Sequence, residues 1–133
     1  MASILAVFKR STFIQAVQPF LSDHGIKLVF ISNNPSDAIL RYKSLQPDVV
    51  LMDANWPTPF YQISGQTLIK ALMECNPGVR IIATTTVHDP VIVALLETIG
   101  VRGYFPKVGR DLVSNIIVCI KTVHEGGKFY YQG

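Results

Sequence analysis

The sequence predicts a three-layer α/β fold, a doubly wound five-stranded parallel sheet with helices on both faces. Short apolar runs alternate regularly with helical patterns, which implies right-handed crossovers and parallel strands. The runs are continuous rather than alternating, Val49-Val50-Leu51-Met52 above all, as expected of strands covered on both faces. The 133 residues, 49% hydrophobic and 16% charged, suit one domain with a substantial core and argue against disorder.

Taken in order, strands are predicted near Ile4–Phe8, Lys27–Ile31, Val49–Met52, Arg80–Thr84 and Gly103–Phe105. Helices follow near Thr12–His24, Ser36–Ser44, Gln66–Cys75, Pro90–Ile99 and Asp111–His124. Asn34-Pro35 and Asp89-Pro90 each place a capping side chain before a proline at the first helical position, so they mark helix starts. Gly100 and Gly126-Gly127 are expected helix stops. Residues 1–125 then form the domain and 126–133 a tail or the start of a linker. The stretch Trp56–Gly65, with two prolines and three aromatics, has no periodicity and reads as a long loop, either functional or simply tolerated.

Composition excludes several classes. The longest apolar stretches, such as Val91–Leu96, fall far short of a membrane span, and the amino terminus lacks a signal-peptide layout, so a cytoplasmic protein is expected. The net charge of +3 is dispersed, which gives little support to nucleic-acid binding by this segment. Cys75 and Cys119 are expected to be buried thiols rather than a disulfide. His24, His88 and His124 share no metal-ligand spacing and are assigned capping or surface roles.

Chemistry is expected at the carboxyl edge of the sheet. Asp53 ends the third strand, Thr85 follows the fourth and Lys107 the fifth, and in a doubly wound sheet these ends converge on one crevice. A carboxylate is a nucleophile for phosphoryl groups, while an ammonium and a hydroxyl stabilise the added oxygens. Singly, these residues read as a turn aspartate, a strand threonine and a solvated lysine; together they read as a phosphoryl-transfer set.

This set, with Tyr104 in Gly103-Tyr104-Phe105-Pro106-Lys107, resembles the receiver domain of two-component response regulators over nearly the whole chain. The interval from Thr85 to Lys107 and the closing Val123-His124-Glu125-Gly126-Gly127 are most similar to receivers of helix-turn-helix transcriptional regulators. The resemblance implies a flavodoxin-like fold and a signalling role without enzyme activity. It makes Asp53 the phosphoacceptor, Thr85 and Lys107 the phosphoryl-contacting groups and Tyr104 the switch aromatic. A sensor histidine kinase is the implied partner, and DNA would be reached only through an effector domain outside this chain.

The pattern departs from the family at one place that matters. Where the family carries two acidic magnesium ligands after the first strand, this chain has Phe8 and Lys9. No cofactor is therefore expected, and magnesium binding should be weak or absent, since Mg²⁺ binds through carboxylates, waters and phosphate oxygens. Lys9 either pairs with Asp53 or points to solvent beside Arg10. The loop after Asp53 is longer than in the transcription-factor branch, and proline precedes Lys107 where the family more often has it following. Val91, Leu95 and Val118 are expected to face outward around the fourth helix, fifth strand and fifth helix, forming a homodimer or partner surface. The alternative function is a phosphorylation-independent pseudo-receiver, acting as a dimerisation or protein-interaction module.

Overall fold

The computed structural model describes residues 1–54 and 64–132. It contains β1 (Ala2–Val7), α1 (Thr12–Asp23), β2 (Ile26–Ser32), α2 (Pro35–Leu45), β3 (Val49–Asp53), α3 (Ser64–Cys75), β4 (Ile81–Thr85), α4 (Pro90–Thr98), β5 (Gly103–Pro106), α5 (Leu112–His124) and β6 (Phe129–Tyr130). The strands form one parallel sheet in the order β2-β1-β3-β4-β5-β6. The order reverses between β1 and β3, so the β-strand ends diverge there and open a crevice. Most of the predicted loop Trp56–Gly65 lies outside the described residues.

Strand alternation sorts the core into two halves. Leu5, Val7, Val50, Met52, Ile81, Ala83 and Tyr104 face α2, α3 and α4, while Ile4, Ala6, Leu51, Ile82 and Phe105 face α1 and α5. This two-sided burial is the reason the central strands read as unbroken apolar runs. Both proline-marked helix starts are capped as the sequence requires: the Asn34 side chain accepts from the Asp37 N–H, and Asp89 accepts from the Val91 N–H. Gly100 and Gly126 adopt φ of +100° and +97°, a region a side chain would strain.

Three expectations need correction. The sheet has six strands, because Phe129–Tyr130, assigned to a tail, pairs in parallel with β5. Cys75 is exposed, since it closes α3 beyond the last buried turn; Cys119 is buried, and its thiol is pushed up by desolvation. Leu95 is half-buried against the α2–α4 core rather than outward-facing, because the helical phase of α4 turns Val93 and Leu96 inward and Leu95 sits beside them. Val91 and Val118 are exposed as expected, and so is Val87, which the sequence reading passed over.

At the opposite edge of the sheet, Asp48 ties the start of β3 to β1. Its carboxylate accepts from the Ser3 backbone N–H at 2.9 Å and the Ser3 hydroxyl at 3.1 Å, with His124 Nε2 at 3.6 Å. The Ser3 N–H first, then the hydroxyl and the imidazole, hold the Asp48 carboxyl below its ordinary 3.8. A carboxyl depressed by folding adds stability above its unfolded value, and that stability is lost as pH falls through the lower folded value. Asp48→Asn is therefore expected to flatten the fall in denaturation midpoint below pH 3.8 while leaving its slope at neutral pH unchanged, as read from urea titrations across that range.

Candidate functional site

Asp53 is the last residue of β3, at the mouth of the crevice beside β1. The chain then turns, with the Ala54 N–H donating to the Thr84 carbonyl. On the neighbouring strands Thr85 ends β4, and the Lys107 N–H donates to the Thr85 carbonyl at 2.8 Å, which fixes where the lysine leaves the sheet. Lys107 Nζ donates to Asp53 Oδ2 at 2.8 Å, with the two side chains only 18% and 17% exposed. The pair is thus mostly withdrawn from solvent, and its charge-assisted bond is screened far less than a surface bridge.

The ammonium is also held from the other side. Lys107 Nζ lies 5.3 Å from the centroid of the Phe8 ring and 5.5 Å from that of Phe13, both within the range of cation–π attraction. The two rings are themselves 5.8 Å apart, and Phe8 is fully buried in the α1–α5 core. Phe8, which replaces an acidic residue in the resemblance, therefore contributes a wall to the lysine's seat. Lys9, expected either to pair with Asp53 or to point to solvent, is exposed, and it is Lys107 that forms the salt bridge.

Thr85 faces the other way. Its hydroxyl donates to the Val87 carbonyl at 2.8 Å and meets the Tyr104 hydroxyl, also at 2.8 Å. Tyr104 is completely buried, and burial pushes its phenol up from the ordinary 10.0. The register partner of Asp53 is Thr84, whose buried hydroxyl has no hydrogen-bond partner among the described residues. The structure thus joins Asp53 to Lys107 and Thr85 to Tyr104, as two pairs on adjacent strand ends.

Two residues escaped sequence reasoning. Phe13 emerges from the first turn of α1 and meets Lys107 only through the fold; an aromatic immediately after Ser11-Thr12 was its sole local signal. His88 Nδ1 lies 3.2 Å from the Tyr104 hydroxyl, and the ring stands edge-on to Tyr131 at 5.1 Å. Its sequence context suggests only a capping or surface role, yet it is the one ionisable side chain between Thr85 and the α4 cap at Asp89.

A doubly wound parallel sheet with a carboxylate and an ammonium paired at its switch point is the arrangement that the resemblance to receiver domains implies. No protein-family model matches the chain. It is 28% identical over 125 residues to a protein-glutamate methylesterase/protein-glutamine glutaminase of Idiomarina loihiensis, covering 92% of this chain and 31% of that protein. It is 31% identical over 103 residues to the transcriptional regulatory protein LnrK of Bacillus subtilis, covering 77% and 44%. The response regulator GacA of Pseudomonas viridiflava is 27% identical over 131 residues, covering 97% and 58%.

A two-component response regulator of the LuxR family from Aurantimonas superposes with a TM-score of 0.85 at 18% identity, over 97% of this chain and 89% of that one. RcsB, in a structure of two dimers bound to two parallel DNAs, superposes at 0.83 and 19% identity, over 98% of this chain and 64% of that one. The chain has the fold of response-regulator receiver domains and is similar to response regulators over most of its length. It spans between 31% and 58% of the length of the three sequence relatives. No helix among the described residues is long and apolar enough to cross a membrane.

Proposed function

We propose that this receiver accepts a phosphoryl group on Asp53 with a degenerate magnesium site, and that Lys107 supplies the counter-charge. The observation that carries the reading is the 2.8 Å Asp53–Lys107 pair at the strand ends, seated on two aromatic rings. In transfer from a phosphohistidine, an Asp53 oxygen attacks phosphorus, the P–N bond breaks, and the imidazole leaves as the acyl phosphate forms. Lys107 then stays as the cation beside the added oxygens. Thr85 can donate to those oxygens only after its proton leaves the Val87 carbonyl, so its phosphoryl contact requires a rotation. Tyr104, bonded to that hydroxyl, is the aromatic that would follow it.

Magnesium fits this site poorly. The ion needs an octahedral set of hard oxygens, and the positions that supply acids elsewhere in the family hold a buried ring and an exposed ammonium. Among the described residues no group of three or more His, Cys, Asp or Glu is placed to hold a metal.

The proposed donor is a sensor histidine kinase in the cytoplasm. The domain has no catalytic turnover of its own in this reading, and any contact with DNA belongs to another domain. Self-association through α4, β5 and α5 is supported by exposed Val91 and Val118 and by the dimers of RcsB; Leu95 drops out of that surface because it packs against the core. The test is intact-mass measurement after incubation with acetyl phosphate, with magnesium or with EDTA, for the parent and Asp53→Asn. One phosphoryl group should add to the parent alone, at a rate little changed by EDTA. Strict dependence on magnesium would overturn the degenerate site, and no addition under either condition would overturn the acceptor role.

A further inference from the structure

The donor count around Tyr104 gives its hydrogen bonds a direction. The Val87 carbonyl can only accept, so the single Thr85 hydroxyl proton is directed there at 2.8 Å. The Thr85–Tyr104 contact, also 2.8 Å, must then carry the Tyr104 proton. With that proton used, the Tyr104 oxygen accepts from His88 Nδ1 at 3.2 Å. The chain runs His88 to Tyr104 to Thr85 to Val87, and it requires a proton on His88 Nδ1. The same imidazole stands edge-on to Tyr131, at 5.1 Å and 82°, while the Tyr131 N–H donates to the Tyr104 carbonyl at 3.0 Å.

We infer that His88 is a positioning residue: it holds the Tyr104 hydroxyl on Thr85 and, through Tyr131, couples that hydroxyl to the docking of β6. When Thr85 turns away from Val87, the Tyr104 proton loses its acceptor and reverses onto His88 Nδ1, which must become the unprotonated nitrogen. The imidazole tautomer is thus the two-state element that links the end of β4 to the chain leaving α5. The relevance of this link to signalling rests on the acceptor role proposed for Asp53; the link itself does not.

The test is nitrogen-15 NMR of the imidazole at about pH 8, above the range in which histidine is ordinarily charged. The parent should show the proton on Nδ1, and Thr85→Val should move it to Nε2. Both results should persist in an Asp53→Asn background, where no phosphoryl group can be accepted, so the coupling is judged separately from the acceptor reading. Hydrogen exchange of the Tyr131 amide should quicken by about tenfold in His88→Ala, and much less in His88→Phe, which keeps a ring against Tyr131. A parent protonated on Nε2, a tautomer indifferent to Thr85→Val, or a Tyr131 amide unmoved in His88→Ala would each overturn the inference.

Discussion

Phe8→Ala is expected to lower the unfolding free energy by about 3–5 kcal/mol, the range for removing a buried aromatic side chain. Phe8 is 1% exposed and packed into the α1–α5 core, so its truncation removes buried apolar contacts that its neighbours can replace only in part. The same substitution removes one of the two rings facing Lys107. Phe8→Leu separates the effects: it nearly conserves apolar volume and should cost under about 1.5 kcal/mol, yet it also takes the ring from the ammonium. Urea denaturation measures the first effect, and the nitrogen-15 resonance of Lys107 Nζ reports the second. Phe8→Asp with Lys9→Asp goes further, since two carboxylates beside Asp53 should make thermal stability respond to magnesium where the parent does not. A Phe8→Ala variant as stable as the parent would show that the ring is not part of the core.

Gly103→Ala is expected to destabilise by about 1–3 kcal/mol through overpacking. A Cβ at this position would lie 2.7 Å from Cys119 Sγ, 2.9 Å from Ile82 Cγ1 and 3.0 Å from Val123 Cγ2. Those atoms belong to α5 and β4, and Cys119 and Ile82 are completely buried, so none can swing into solvent. Relief requires α5 to move off β5, against the Phe129 N–H bond to the Arg102 carbonyl that ties the chain after α5 to β5. Combining Gly103→Ala with Cys119→Ala, which relieves the shortest contact, should recover part of the loss. Equal denaturation midpoints for the Gly103→Ala variant and the parent would refute this account of the packing.

Much of this architecture was legible because local and global signals agree. The run ending in Asp53 identifies a covered strand with a charge at its tip, and Asn34-Pro35 and Asp89-Pro90 fix two helix starts by capping chemistry alone. The threonines are a different matter. Thr84, Thr85 and Thr86 are consecutive, and in a strand a shift of one residue changes the face, so composition cannot say which hydroxyl looks toward Tyr104 and which lies on the Asp53 side. The lysine's seat was invisible for a related reason: Phe8, Phe13, Asp53 and Lys107 meet only when β1, α1, β3 and the end of β5 are brought together. Leu95 was misplaced by a small error in helical phase, and the two-residue β6 is too short to show an alternating pattern.

The sixth strand also has a consequence for solubility. β5 is buried at all four positions, and without Phe129–Tyr130 against it, the ladder groups of Gly103–Pro106 would form an open, uncharged rim. Such a rim is a template for a second chain to add a strand of its own. The Arg102 carbonyl and the Tyr104 carbonyl instead receive the N–H groups of Phe129 and Tyr131, and the Tyr130 hydroxyl closes on the Val101 carbonyl at 2.6 Å. Five residues after α5 thus begin a short stretch that guards the domain against fibre-like growth along this side, leaving any association to side-chain surfaces, where it can be selective and reversible.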